Sequence, residues 1–178
     1  MIMPVAYIAV VWSVPSLSGS LGWLRVGQFS PFLWTALAVL AILSVIGLIL
    51  YFVTIRPDLS HQPVMGSHRM NPAALFAVGI GIAVLNAAVE ESMYRGILMN
   101  ALDAWLGGGI LPIVLQAIAF GTLHFNSTEP GVSGVLITAL LGLVLGWLRR
   151  AGRGMLPPYI VHVLVDIGVW TLGLLQTA

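Results

Sequence analysis

The 178-residue chain has no cysteine and no lysine, and only 7% of its residues are charged. The missing cysteine removes disulfides, thiolate zinc sites, a cysteine nucleophile and prenylation of the chain itself, and leaves the redox compartment open. The missing lysine, with seven arginines against six acids and a net charge of +1, leaves no basic surface for nucleic acid or for anionic lipid head groups. Soluble domains carry about 25% charged residues, so the scarcity of charge also excludes an ordinary water-soluble globule and a disordered chain. Hydrophobic residues make up 59% of the chain and the mean hydropathy is +1.03. Such a composition predicts an all-α, polytopic transmembrane bundle in a single domain, residues 1–178, with the lipid bilayer as its solvent. The side-chain chemistry that remains is acid, imidazole and hydroxyl.

A helix needs about 20 apolar residues to cross a bilayer, and about six membrane segments are expected on that criterion. Pro31 to Ile55 carries no charge and stops at Arg56-Pro57-Asp58, a polar loop that continues through His61, His68 and Arg69. Asn71-Pro72 reads as an N-cap followed by proline at the first helical position. It launches a run that passes through Glu90-Glu91 to about Trp105 and ends at Gly107-Gly108-Gly109. Ile110 to Phe125 is a shorter span, followed by the turn-rich break from Asn126 to Gly131. Val132 to Leu148 closes on Arg149-Arg150 and Arg153, and Leu156 to about Leu175 is the last span. Met1 to Leu24 is uncharged but broken by Pro4 and Pro15, so it either crosses or re-enters; no positive n-region marks it as a cleaved signal peptide. The six tryptophans sit mostly near expected span ends, as interfacial aromatics do. If every segment crosses, Arg25, Arg149, Arg150 and Arg153 share one side, and the positive-inside rule puts that side in the cytoplasm.

Glu90, Glu91, Arg95, His124, His162 and Asp166 fall inside these spans, where a charged residue costs about 2.5 to 3.5 kcal/mol on insertion scales. Residues so placed are paired or functional. Glu91 and Arg95 stand at i and i+4 with the acid first, the better order for an ion pair; they either neutralise one another or also serve a site. Glu90 points roughly 100° away from Glu91 and needs another partner. Phe120 and His124 share a face at i, i+4, as do His162 and Asp166. Counted from Trp105 and from Gly109, Glu90 and His124 lie at the same depth, about 22 Å in at 1.5 Å per residue. Asp166, counted from Arg153, lies about 20 Å in. Three helices thus bring polar residues to one level, about 8 Å from the surface opposite the Arg149 loop if the core is about 30 Å thick. A carboxylate and two imidazoles at one level fit either a metal site, with zinc the natural ion, or a carboxylate general base helped by histidine. No H-E-x-x-H or other compact ligand motif is present, so the signal for a metal is weak, and zinc stands as the alternative to a site with no cofactor.

Glu90-Glu91-Ser92-Met93-Tyr94-Arg95 fits E-E-x-x-x-R, Phe120 to His124 fits F-x-x-x-H, and His162 to Asp166 fits H-x-x-x-(N or D). In this order, on successive hydrophobic helices, the motifs resemble those of the CAAX protease and bacteriocin-processing family, also called the Abi family, which includes the type II CAAX prenyl endopeptidases. The likeness covers Pro72 to about Leu175, so the catalytic helices are placed within residues 72–176. It implies a metal-independent glutamate intramembrane protease, an integral multi-pass protein, with a prokaryotic cell membrane suggested by its short length. On that likeness Glu90 activates water and His124 assists at that water. His162 and Asp166 take the oxyanion positions, and Glu91, Arg95 and Phe120 support the arrangement. The last motif position is often asparagine in the prenyl endopeptidases, and an ionised Asp166 cannot donate to an oxyanion; it acts either protonated or by orienting His162. The implied partner is a membrane-anchored, prenylated or exported protein or peptide. The alternative is a non-enzymatic peptide-binding immunity or scaffold protein of the same fold. A small transporter fits less well, because no inverted repeat is present.

Overall fold

The computed structural model describes residues 21–57, 71–126 and 131–177, with residues 6, 9, 10, 13 and 14 ahead of them. Most of the expected N-terminal segment lies outside the described residues, as do Trp12, His61, His68 and Arg69. The described residues form helices: α1 (Pro31–Thr54), α2 (Pro72–Glu91), a π-helical segment (Ser92–Leu98), α3 (Met99–Leu106), α4 (Ile110–Leu123), α5 (Val132–Ala151) and α6 (Leu156–Thr177). Four stretches are long and apolar enough to cross a membrane, namely Pro31–Thr54, Pro72–Leu106, Val132–Ala151 and Leu156–Gln176, with Ile110–Leu123 a shorter apolar helix. The chain is thus an integral, multi-pass, all-helical membrane protein. The five apolar segments match five of the six expected.

Local chemistry sets the helix ends. The Ser30 hydroxyl accepts from the Leu33 N–H (3.1 Å) and the Asn71 side chain from the Ala74 N–H (2.8 Å), each followed by proline in the first turn, where its missing N–H costs nothing. Arg56 ends α1 in the left-handed region (φ 51°), before Pro57, which disfavours helical backbone in the residue ahead of it. Gly107 (φ 70°) ends α3.

At the arginine-rich end, Leu33 and Leu37 of α1 pack with Leu145 and Leu148 of α5 and Val161 of α6. The chain ahead of α1 is pinned to the α5–α6 turn by Gln28 N–H to Gly152 O (2.7 Å) and Met155 N–H to Arg25 O (2.7 Å). Gly27 (φ +110°) lies so close to Gly154 that a side chain at either would collide with the other's backbone. Arg25, Arg149, Arg150 and Arg153 therefore gather at one end, where Arg150 Nη2 meets Asp103 Oδ1 at 2.6 Å. At the other end Phe52 of α1 packs on Trp170 of α6, and the Gln176 amide donates to Pro57 O (3.1 Å). Between these two clamps residues of α1 and α5 line a common cleft. Small residues let α4 and α5 approach closely: Gly142 sits against Ala117 and Phe120, Gly121 against Ala139, and Gly146 against Gln116.

Two tryptophans depart from the interfacial expectation. Trp23 is buried against Gly96 of the π segment, and Trp170 is buried against Gly79 with its indole N–H donating to Leu75 O (3.2 Å). Their partners are glycines on neighbouring helices, which leave ring-sized hollows that hydropathy does not reveal. Trp34, Trp105 and Trp147 are exposed.

Candidate active site

Each helix brings its polar residues to the site in steps of four. On α2 these are Asn86 and Glu90, on α4 Gln116, Phe120 and then His124 just past the helix end, and on α6 His162 and Asp166. His124 caps α4 with non-helical backbone (φ −92°, ψ 11°), so the helix ends at Leu123, short of the Phe125 expected for this span. Its Nδ1 lies 2.7 Å from the Phe120 carbonyl. A carbonyl only accepts, so Nδ1 carries the hydrogen and Nε2 is left facing Glu90 Oε1 at 3.9 Å.

The second imidazole is set by the same logic. His162 Nδ1 lies 2.7 Å from Glu91 Oε1, and an ionised carboxylate only accepts, so Nδ1 again carries hydrogen. His162 Nε2 then faces Glu90 Oε2 at 3.4 Å and Asp166 Oδ1 at 3.6 Å. The Nε2 atoms of His124 and His162 thus address different oxygens of the Glu90 carboxylate. Asp166 also accepts from the Asn86 amide, Nδ2 to Oδ2 3.2 Å. The structure brings Glu90, His124, His162 and Asp166 together.

Behind this group lies a buried polar network. Glu91 Oε1 accepts from Arg95 Nη1 (2.9 Å) as well as from His162, so the i, i+4 pair has a third member. Glu91 is 2% and Arg95 1% exposed, against 20% for the Glu90 side chain; the adjacent acids face different surroundings, one dry and one lining a cleft. Arg95 Nη2 approaches Gly142 O (3.4 Å), which also accepts from Gln116 Nε2 (2.8 Å). The Phe120 ring links the two layers: the Arg95 guanidinium sits 4.4 Å from its centroid, and it meets Tyr94, His124 and His162 edge-on.

The site opens into a cleft of about 810 Å³ bounded by α1, α2, α5 and α6. Asn86, Glu90, His124, His162 and Asp166 line its polar part, and its walls are apolar, including Leu48, Leu141, Val165 and Val169. Leu43 of α1 and Ile137 and Leu140 of α5, also in its lining, are more than half exposed. The cleft therefore opens sideways, on the outer surface of the bundle. Among the described residues no group of three or more histidines and acids is arranged to hold a metal ion.

Two amides and one winding were not anticipated. Asn86 precedes Glu90 by four residues and Gln116 precedes Phe120 by four; extending each motif one turn towards the N-terminus would have found both. The π segment, frequent at functional sites, has no such signal.

Among known families, the one described as Type II CAAX prenyl endopeptidase Rce1-like matches residues 71–168. No curated protein and no solved structure matches the chain.

Proposed function

The chain belongs to the Type II CAAX prenyl endopeptidase Rce1-like family, and from that premise we propose that it is a glutamate-type intramembrane endopeptidase acting on a membrane-anchored protein or peptide. One observation carries the reading: the Nε2 atoms of His124 and His162 converge on the two oxygens of Glu90, at 3.9 and 3.4 Å, in a cleft with apolar walls. A separation of 3.9 Å is too long for a direct hydrogen bond and suits a contact made through water.

In this mechanism Glu90 takes a proton from a water that His124 Nε2 helps to hold. The water oxygen bonds to the scissile carbonyl carbon, and the carbonyl π pair moves onto its oxygen. His162, with hydrogen on both nitrogens, donates to that oxyanion from Nε2 while Nδ1 stays bound to Glu91. Collapse re-forms the carbonyl and breaks the C–N bond, and Glu90 returns its proton to the leaving amine. Asp166 acts as an acceptor that orients His162, which answers the departure at the last motif position. Glu91 and Arg95 hold the imidazole from behind. The apolar walls suit a lipid anchor or a hydrophobic segment beside the cleaved bond, the prenyl group being one such anchor. The chemistry needs no resident metal.

The test compares new peptide termini in membrane fractions of cells expressing the wild type and Glu90→Gln at matched abundance. Termini present with the wild type, absent with Glu90→Gln and unaffected by a chelator are expected, and they identify the substrate. Identical profiles in cells containing the native partners would overturn the protease reading in favour of peptide binding, and a chelator loss reversed by zinc would overturn the metal-free mechanism.

A further inference from the structure

Hydrolysis at Glu90 needs donors for the oxyanion, and most polar groups near Glu90 cannot supply one. Ionised Glu91 and Asp166 only accept, and the Nδ1 hydrogen of His124 is committed to the Phe120 carbonyl. His162 Nε2 is one donor; preorganised oxyanion sites commonly present more than one. Asn86 is the side-chain amide in the lining of the cleft. Its orientation is fixed by its partner: Asp166 Oδ2 accepts, so the nitrogen, not the oxygen, faces it at 3.2 Å. An amide nitrogen carries two hydrogens, and Asp166 uses one.

Asp166 stands between the two donors. Its Oδ1 faces His162 Nε2 at 3.6 Å and its Oδ2 takes Asn86 Nδ2, so one carboxylate on α6 holds an imidazole of its own helix and an amide of α2 side by side. Asn86 lies one helical turn before Glu90 on the same face of α2, and both line the cleft. The amide therefore sits where negative charge starts, on Glu90, and near where it arrives, on the carbonyl oxygen.

We propose that Asn86 is a catalytic residue whose second Nδ2 hydrogen is donated, beside His162, to the oxyanion. It supplies from α2 the amide that position 166 lacks, with Asp166 as the acceptor that aims both donors. The proposal rests on the protease reading above. As Glu90 takes the proton from water its negative charge is neutralised and the carbonyl oxygen becomes negative. The amide follows the charge, and an interaction that strengthens in this way lowers the barrier.

The experiment measures the rate at which the Glu90-dependent terminus appears in cells at matched enzyme abundance, for the wild type, Asn86→Ala, Asp166→Asn and the double variant. Loss of one oxyanion donor typically lowers turnover about 100- to 1000-fold, and that fall is expected for Asn86→Ala. Asn86→Asp, equal in size but without the hydrogens, is expected to fall equally and serves if the alanine variant does not accumulate. Placing an amide at position 166 in the Asn86→Ala background is expected to recover at least about tenfold of the loss, as an amide on α6 takes over the donor role. A rate for Asn86→Ala within about threefold of wild type, or a loss that Asp166→Asn does not lift, would overturn the assignment and leave Asn86 a prop for its neighbours. Absence of any Glu90-dependent terminus with the wild type is a different result, and it removes the protease reading itself.

Discussion

At the scale of single residues, the proposed mechanism expects the adjacent acids Glu90 and Glu91 to divide stability from chemistry. Glu91 is buried and serves as the common acceptor for Arg95 and His162, so Glu91→Gln strips a buried guanidinium of its counter-charge. Removing one partner of a buried ion pair costs about 3–5 kcal/mol. A clear fall in melting temperature of the detergent-purified protein is expected for Glu91→Gln. Glu90→Gln, in the partly open cleft, is expected to melt within a degree or two of wild type while losing its proteolytic products. A thermal-shift comparison of the two variants checks this; equal destabilisation would mean that Glu90 is structural as well. The separation was partly legible beforehand, because helical geometry turns consecutive residues about 100° apart and Arg95 stands one turn from Glu91 alone. That His162 would choose Glu91 through Nδ1 and offer Nε2 to Glu90 was not legible, since ring orientation depends on helices distant in sequence.

Helices α2 and α4 show what a sequence can and cannot reveal about an element. Asn71-Pro72 starts α2 and Gly107 to Gly109 separates α3 from α4 because capping and glycine backbone are local chemistry. The equal depth of Glu90 and His124 followed from rise per residue alone. The π segment Ser92–Leu98 is different, because its winding answers to packing around it: Trp23 lies on Gly96, and Tyr94 and Arg95 lie on Phe120. A Cβ at Gly96 would come within 2.6 Å of the Trp23 ring. Gly96→Leu is therefore expected to expel the indole and to destabilise the protein by about 1–3 kcal/mol, the usual cost of overpacking. Trp23→Ala in the Gly96→Leu background is expected to restore part of that loss, measured by thermal unfolding; no recovery would mean that the two side chains do not share the hollow. Asn86 and Gln116 are polar but not ionisable, so a criterion of charge at membrane depth does not mark them.

For the whole molecule, the absence of cysteine becomes an experimental advantage. Single cysteines introduced at Arg153 and at Pro57 report the two ends of the bundle without background from native thiols. The four arginines gathered at one end predict that the Arg153→Cys thiol faces the cytoplasm and resists a membrane-impermeant reagent on intact cells, whereas Pro57→Cys reacts. The reverse pattern would place the arginine-rich end outside and the Arg56 end in the cytoplasm. The sideways cleft has a consequence for how the enzyme meets its substrate. A substrate that enters between α1 and α5 arrives by diffusion within the leaflet, so the encounter is two-dimensional. The quantity that sets its frequency is then the number of substrate molecules per lipid rather than per litre: diluting a vesicle suspension with buffer leaves the encounter rate unchanged, and fusing the vesicles with empty lipid slows it.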